Sequence, residues 1–346
     1  MTSLHTDTAA VSGKAEQLPG DGRPPRQLRD HPWARFALVR TGGFLLSAAI
    51  LIVVTFLIVP LIPGDPAVVA AGEGATAEQI EQTRQTLGLD EPFLVQFWSY
   101  IVGVFTLDMG YSFSSGAMVT DVVLTRLPYT AQIALLAISF TLLIGVPAGM
   151  CAALLTRGGR NRWIDHSFNL LTSFVYAVPN YVLATFLIFI FAIQLGWFPS
   201  GGAESLASLV LPTAAVMIGP TCVIARVVRR EAATILEQDY VRTARGWRLG
   251  TWRTHSRYVL PNLLTTTLTL AGLILAGMLG GAVVIETVFG WPGLGKGVVD
   301  AIIFRDYPVI RAIVLLLGLL ATLLIILVDV ILAIIDPRNL EKGHNG

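Results

Sequence analysis

Six stretches of this chain run for 17 residues or more without one Asp, Glu, Lys or Arg: 41–64, 127–156, 167–203, 205–225, 258–285 and 312–328. An α-helix needs about 20 apolar residues to cross a hydrocarbon core of ~30 Å. Inside that core each backbone N–H and C=O must be satisfied within its own segment, which a helix achieves and a loop does not. The runs therefore predict an all-α membrane protein with six transmembrane helices. The last run is short but continues past Asp329 through 330–335, and the third is long because it includes a Gly- and Pro-bearing turn at 196–200. A further apolar stretch, 92–107, has only 16 residues, with Gln96 and Ser99 inside and acidic neighbours. It reads as a helix lying at the external membrane surface or folded in a small outer domain.

Only 14% of residues are charged, against about 25% in a soluble domain. That is too few to cover a water-facing surface, which argues against a soluble enzyme, a disordered scaffold or a partner to nucleic acid. Cys151 and Cys222 lie in apolar runs as small packing residues, and the five histidines form no metal-ligand pair.

Lys and Arg concentrate on the cytoplasmic side of membrane proteins. With six spans, segments 1–40, 157–166, 226–257 and 336–346 fall on one side and hold 19 of the 24 basic residues. Both termini are thus expected in the cytoplasm. Residues 1–34 read as a disordered cytoplasmic tail, too long a polar lead for a cleaved signal peptide. The first span is expected over 35–62, and 337–346 form a second cytoplasmic tail. The external segment 63–127 carries eight acids against Arg84 and Arg126. Within it, 77–87 is expected to be helical, with Thr76 as N-cap and Gly88 as the stop. The remaining helices form a five-helix core over 128–336.

In the cytoplasmic segment 226–257, Ala232, Leu236, Tyr240, Ala244 and Trp247 recur at spacings of four and three, on one face of a helix over about 232–248. Arg242, Arg245 and Arg248 lie on another. Such a helix either rests on anionic lipid or plugs into a cytosolic partner.

The order Arg242-Thr243-Ala244, then Arg248, then Tyr258-Val259-Leu260-Pro261 resembles the cytoplasmic signature of ABC-importer permeases: Glu-Ala-Ala, three residues, Gly, nine residues, Ile-x-Leu-Pro. Arg248 stands in the Gly place, with Gly246 and Gly250 nearby. Pro63-Gly64-Asp65-Pro66, Leu87-Gly88-Leu89-Asp90-Glu91-Pro92-Phe93, Asp108-Met109-Gly110-Tyr111-Ser112, the 286–295 stretch, Arg305-Asp306-Tyr307-Pro308-Val309 and Asp336-Pro337-Arg338 are similar to the dipeptide/oligopeptide importer family, in its first-permease type. The similarity covers about 35–340.

The resemblance implies a type I ABC importer permease fold and a multi-pass place in the bacterial plasma (inner) membrane. It implies a heterodimer with a second homologous permease, two ATPase subunits that bind ATP and Mg, and an external peptide-binding protein. This chain itself would be no enzyme and bind no cofactor. Coupling to the ATPase would fall to Leu236, Asp239, Tyr240, Val241, Arg242, Thr243, Ala244, Arg245, Trp247 and Arg248. Similar permeases serve nickel chelates or glutathione, so those are the alternative cargoes.

Gly290-Trp291-Pro292-Gly293-Leu294-Gly295-Lys296-Gly297 nearly spells a phosphate-binding loop, but Gly297 stands where Ser or Thr must hold Mg²⁺, and no strand precedes it. A tight turn is expected instead. Gly145 with Gly149, and Gly277 with Gly281, have the spacing that lets helices approach closely. Pro147, Pro179, Pro212 and Pro220 interrupt spans. Asp329 is the carboxylate inside an apolar run, expected near the cytoplasmic interface and bonded to Arg or to backbone at the second permease. Polar candidates for the translocation path are Asn169, Tyr176, Asn180, Thr265, Thr266 and Thr267. A secondary transporter, the reading from a different class, needs coupling carboxylates at mid-membrane, and only the off-centre Asp329 is available.

Overall fold

A computed structural model describes residues 32–335 apart from 62, 63, 73, 248 and 249. Of the expected tails, 1–34 and 337–346, residues 1–31 and all of the second lie outside the described residues, as does Arg248, whereas Pro32, Trp33 and Ala34 already belong to the first helix. Among the described residues the regular structure is helical, with one isolated antiparallel bridge between Tyr111 and Met118.

Five helices are long and apolar enough to cross a membrane. They are α1 (Pro32–Leu61), α5 (Val119–Leu155), α8 (Val210–Leu236), α11 (Leu260–Val288) and α13 (Tyr307–Ile335). The sixth span is a broken one: α6 (Arg162–Ala177) and α7 (Asn180–Leu187), continued by a wider turn over Ile188–Gln194, meet at 91°. The break follows from Pro179. Its ring pushes Val178 out of the helical region, to φ −74° and ψ 123°, so the helix must restart. Pro147 and Pro220, in contrast, lie inside continuous helices, and Pro212 sits in the first turn of α8.

Between the first two long helices lies a cap of three helices: α2 (Pro66–Ala71), α3 (Ala77–Thr86) and α4 (Phe93–Thr106). Asp65 accepts from Ala67 N at 3.0 Å to cap α2 and pairs with Arg84 of α3. Thr76 and Gln79 exchange side chain-to-backbone bonds at the start of α3, a full capping box. α5 starts at Val119, eight residues before the charge-free run. Its first two turns carry Asp121, Thr125 and Arg126, which need no apolar surroundings beyond the membrane.

Glycine decides the closest packing. Gly149 of α5 lies against the Ala225 carbonyl and Val228 of α8, where any Cβ would collide, and Gly145 sits tightly against Ile224. Gly272 meets Val328 and Gly318 meets Leu51 in the same way. Gly277, expected to pack, has open space around it.

The amphipathic helix expected over 232–248 is two helices. α8 ends at Leu236, and α9 (Asp239–Gly246) restarts after Glu237 and Gln238. The restart changes the register. Val241 and Ala244 face inward and are buried, whereas Tyr240 is 42% and Trp247 70% exposed. The short α10 (Thr251–Thr254) and a wide turn over His255–Val259 then lead into α11, with Pro261 in its first turn.

Candidate functional sites at the two ends of the bundle

α9 stands at the end of the bundle away from the cap. Its inward residues, Val241 and Ala244, pack with Leu236 in the core. Its outward set is Asp239, Tyr240, Arg242 and Thr243. Asp239 and Arg242 form an i,i+3 ion pair at 3.6 Å, both largely exposed. The Tyr240 hydroxyl accepts from Asn262 Nδ2 at 3.2 Å, which tethers it to α11. An eight-residue helix seated by two small side chains, with a charged and aromatic outer face, is a knob suited to a groove on another protein. The side chain of Arg245 lies outside the described residues.

At the same end, Asp329 of α13 pairs with Arg40 of α1 at 2.8 Å, and Arg40 also covers the Phe36 ring. Sequence reading did not identify Arg40 as this partner, because nothing local links positions so far apart. The pair borders a cavity of about 610 Å³ that includes Thr265, Thr266 and Thr269. The other path candidates lie elsewhere. Asn169 donates to the Asp165 carbonyl at 2.9 Å, and Asp165 pairs with Arg229. Tyr176 lies under the Arg226 guanidinium, and Asn180 approaches Gly219. Asn169, Tyr176 and Asn180 thus line the contact of α6 and α7 with α8, while Thr266 lines the Asp329 cavity. Thr267 is buried and bonded to the Leu263 carbonyl.

The cap end gathers three of the quoted motifs. Asp306 is buried and accepts from Ser112 Oγ, from Ser114 N at 3.1 Å and from Ser114 Oγ at 2.8 Å. This joins the 108–112 stretch to the 305–309 stretch. Glu286, beyond the apolar span Ser256–Gly280, is fully buried and accepts from Thr130 Oγ1 at 2.7 Å and Lys296 N at 3.0 Å.

The Gly-rich turn 290–297 closes over that carboxylate. Gly293 and Gly295 come so near that a Cβ on either would strike it. Trp291 is buried beside the turn and donates from Nε1 to the Tyr129 carbonyl at 3.1 Å. The turn does cradle an anion with its backbone, as such loops do, but the anion is the chain's own Glu286. Thr130, which holds both Glu286 and Leu294 N, carried no signal in the sequence.

Comparison with known proteins agrees with these features. Residues 145–341 match the family described as "Binding-protein-dependent transport system inner membrane component", and residues 33–134 match "Binding-prot-dependent transport system membrane comp, N-term". A Brucella abortus (strain 2308) protein named for a peptide transport system permease is 38% identical over 309 residues, covering 87% of this chain and 97% of that one. The glutathione transport system permease protein GsiC of Escherichia coli (strain K12) is 36% identical over 302 residues, with the same coverage. Among solved structures, a chain of the MetNI methionine ABC transporter in inward facing conformations aligns with TM-score 0.52 and 21% identity. It covers 62% of this chain and 96% of that one, a likeness of fold.

Proposed function

The chain belongs to the family of binding-protein-dependent transport system inner membrane components, and on that premise we propose that it is one of two permeases forming the path of an ATP-driven peptide importer. Both termini and α9 face the cytoplasm, where the basic residues concentrate, and the cap faces outside. ATP and Mg bind on two separate ATPase subunits, each permease receiving one. An external binding protein delivers di- or oligopeptides to the cap side. The observation that carries this reading is α9: a seated knob with exposed Asp239, Tyr240 and Arg242, at the position of the cytoplasmic signature. Nearly full-length similarity to the Brucella protein supports a peptide cargo. The Escherichia coli relative supports glutathione, itself a small peptide, as the alternative.

The test is to purify the chain with its neighbouring permease, ATPase and binding-protein genes expressed together. The reading expects one complex whose ATPase rate rises with peptide-loaded binding protein. Uptake driven by an ion gradient with no ATPase present would overturn it in favour of a secondary transporter.

A further inference from the structure

Arg311 lies one turn into α13 from the cap end. Its guanidinium sits 5.4 Å from the Phe56 ring centre and 5.3 Å from that of Tyr100. It makes no hydrogen bond or ion pair among the described residues, and its Nε is buried without a partner. A guanidinium offers five N–H donors in a fixed fork. A buried cation left so is costly unless an anion answers it. Arg311 borders a cavity of about 510 Å³ roofed by α4, through Gln96, Ser99 and Tyr100. Glu91 and Asp108 stand at the rim of the same cavity, and both are exposed. A cation on the floor and carboxylates at the rim match a zwitterion with its anionic end inward.

The place of α4 identifies the source of that zwitterion. Phe93, Phe97 and Tyr100 of α4 pack on Phe56 of α1 with ring centres 5.1, 5.1 and 5.8 Å apart. Phe56 is five residues short of the end of α1 at Leu61, roughly 7–8 Å inside it at 1.5 Å per residue. So α4 lies within the depth of the span it packs on. Its other face carries Leu94, Trp98, Val102 and Phe105 at helical spacing, all exposed. At 14 residues, about 21 Å, it cannot cross a core of ~30 Å. An apolar helix at this depth, with Trp and Tyr, has the character of an interfacial helix.

We propose that the cavity between α1, α4 and α13 holds the headgroup of a zwitterionic phospholipid from the leaflet at the cap end. Its phosphate sits on Arg311, its ammonium faces Glu91 and Asp108, and α4 is immersed beside it. The exposed stripe sets the outer face of α4 against the acyl chains, while its inner face lines the cavity, so the headgroup in closest supply at that depth is a lipid's.

The experiment uses the complete purified transporter, delipidated in detergent. Adding dioleoyl-phosphatidylethanolamine should raise its melting temperature. Arg311→Gln should weaken that response about tenfold or more in lipid concentration, as loss of a charge-assisted contact does, while Arg311→Lys should keep most of it. Glu91→Gln with Asp108→Asn should remove the preference for ethanolamine over glycerol headgroups. Equal stabilisation by inorganic phosphate or by a dipeptide overturns the lipid assignment, as does an absent lipid response or an unchanged headgroup preference. A second measurement needs no change at Arg311. A nitroxide at position 98, with Cys151 and Cys222 replaced by Ser, should be relaxed more by oxygen than by a water-soluble nickel chelate in vesicles. The reverse order would place α4 outside the membrane and sink the proposal.

Discussion

Thr130 donates its hydroxyl proton to Glu286 at 2.7 Å and accepts the amide proton of Leu294 at 2.8 Å, so one side chain closes both the carboxylate and the turn above it. Thr130→Val leaves a buried acceptor and a buried N–H unanswered at once. It should destabilise the protein by about 1–3 kcal/mol, read as a fall in melting temperature of the purified chain.

α9 separates seating from docking. Val241→Asp buries a charge beneath the helix and should unseat it, lowering both stability and ATPase retention. Tyr240→Ala leaves Val241 and Ala244 in place and gives up only the exposed bond from Asn262, so melting temperature should fall much less. If Tyr240 anchors the ATPase, the loss should be about 2 kcal/mol or more of binding, roughly 30-fold in affinity. Arg242→Gln, at the exposed rim, should cost less and act chiefly at low salt. Full ATPase retention in Tyr240→Ala would remove that residue from the interface.

Two glycines four residues from a glycine partner should behave oppositely. Gly149→Ala drives a Cβ into Val228 and the Ala225 carbonyl and should destabilise by about 1–3 kcal/mol. Gly277→Ala meets nothing within 4 Å and, relieving a glycine inside a helix, should hold or slightly raise the melting temperature of the isolated chain. Thermal scans of the two variants in one detergent decide it.

Orientation is open to labelling. With Cys151 and Cys222 replaced by Ser, a single cysteine at Thr83 should react with an impermeant maleimide in intact cells, and one at Thr243 only after lysis. Reaction at position 243 in intact cells would invert the proposed topology.

The parts of the fold that sequence exposes are those set by one segment alone. Charge-free runs mark the spans because lipid tolerates little else. Thr76 marks the start of α3 because an N-cap is local, and Pro179 breaks its span through its own ring and the residue before it. Features that need a second segment stay hidden. Arg40 finds Asp329 across the bundle, and Gly149, not Gly277, meets a neighbouring helix. The α8–α9 break misled the helical count, because a single periodicity carried through Glu237 and Gln238 puts Tyr240 inside when Val241 is the buried residue.

Ser112 and Asp306 are 194 residues apart in the chain. At 5–20 residues per second, a ribosome needs about 10–40 s to reach the second after making the first. Throughout that interval Ser112 and Ser114 lack their acceptor. The cap is therefore made early and locked last, when the final hairpin inserts. A chain truncated before Asp306 would expose that unlocked segment to proteases while its earlier helices are already in the bilayer.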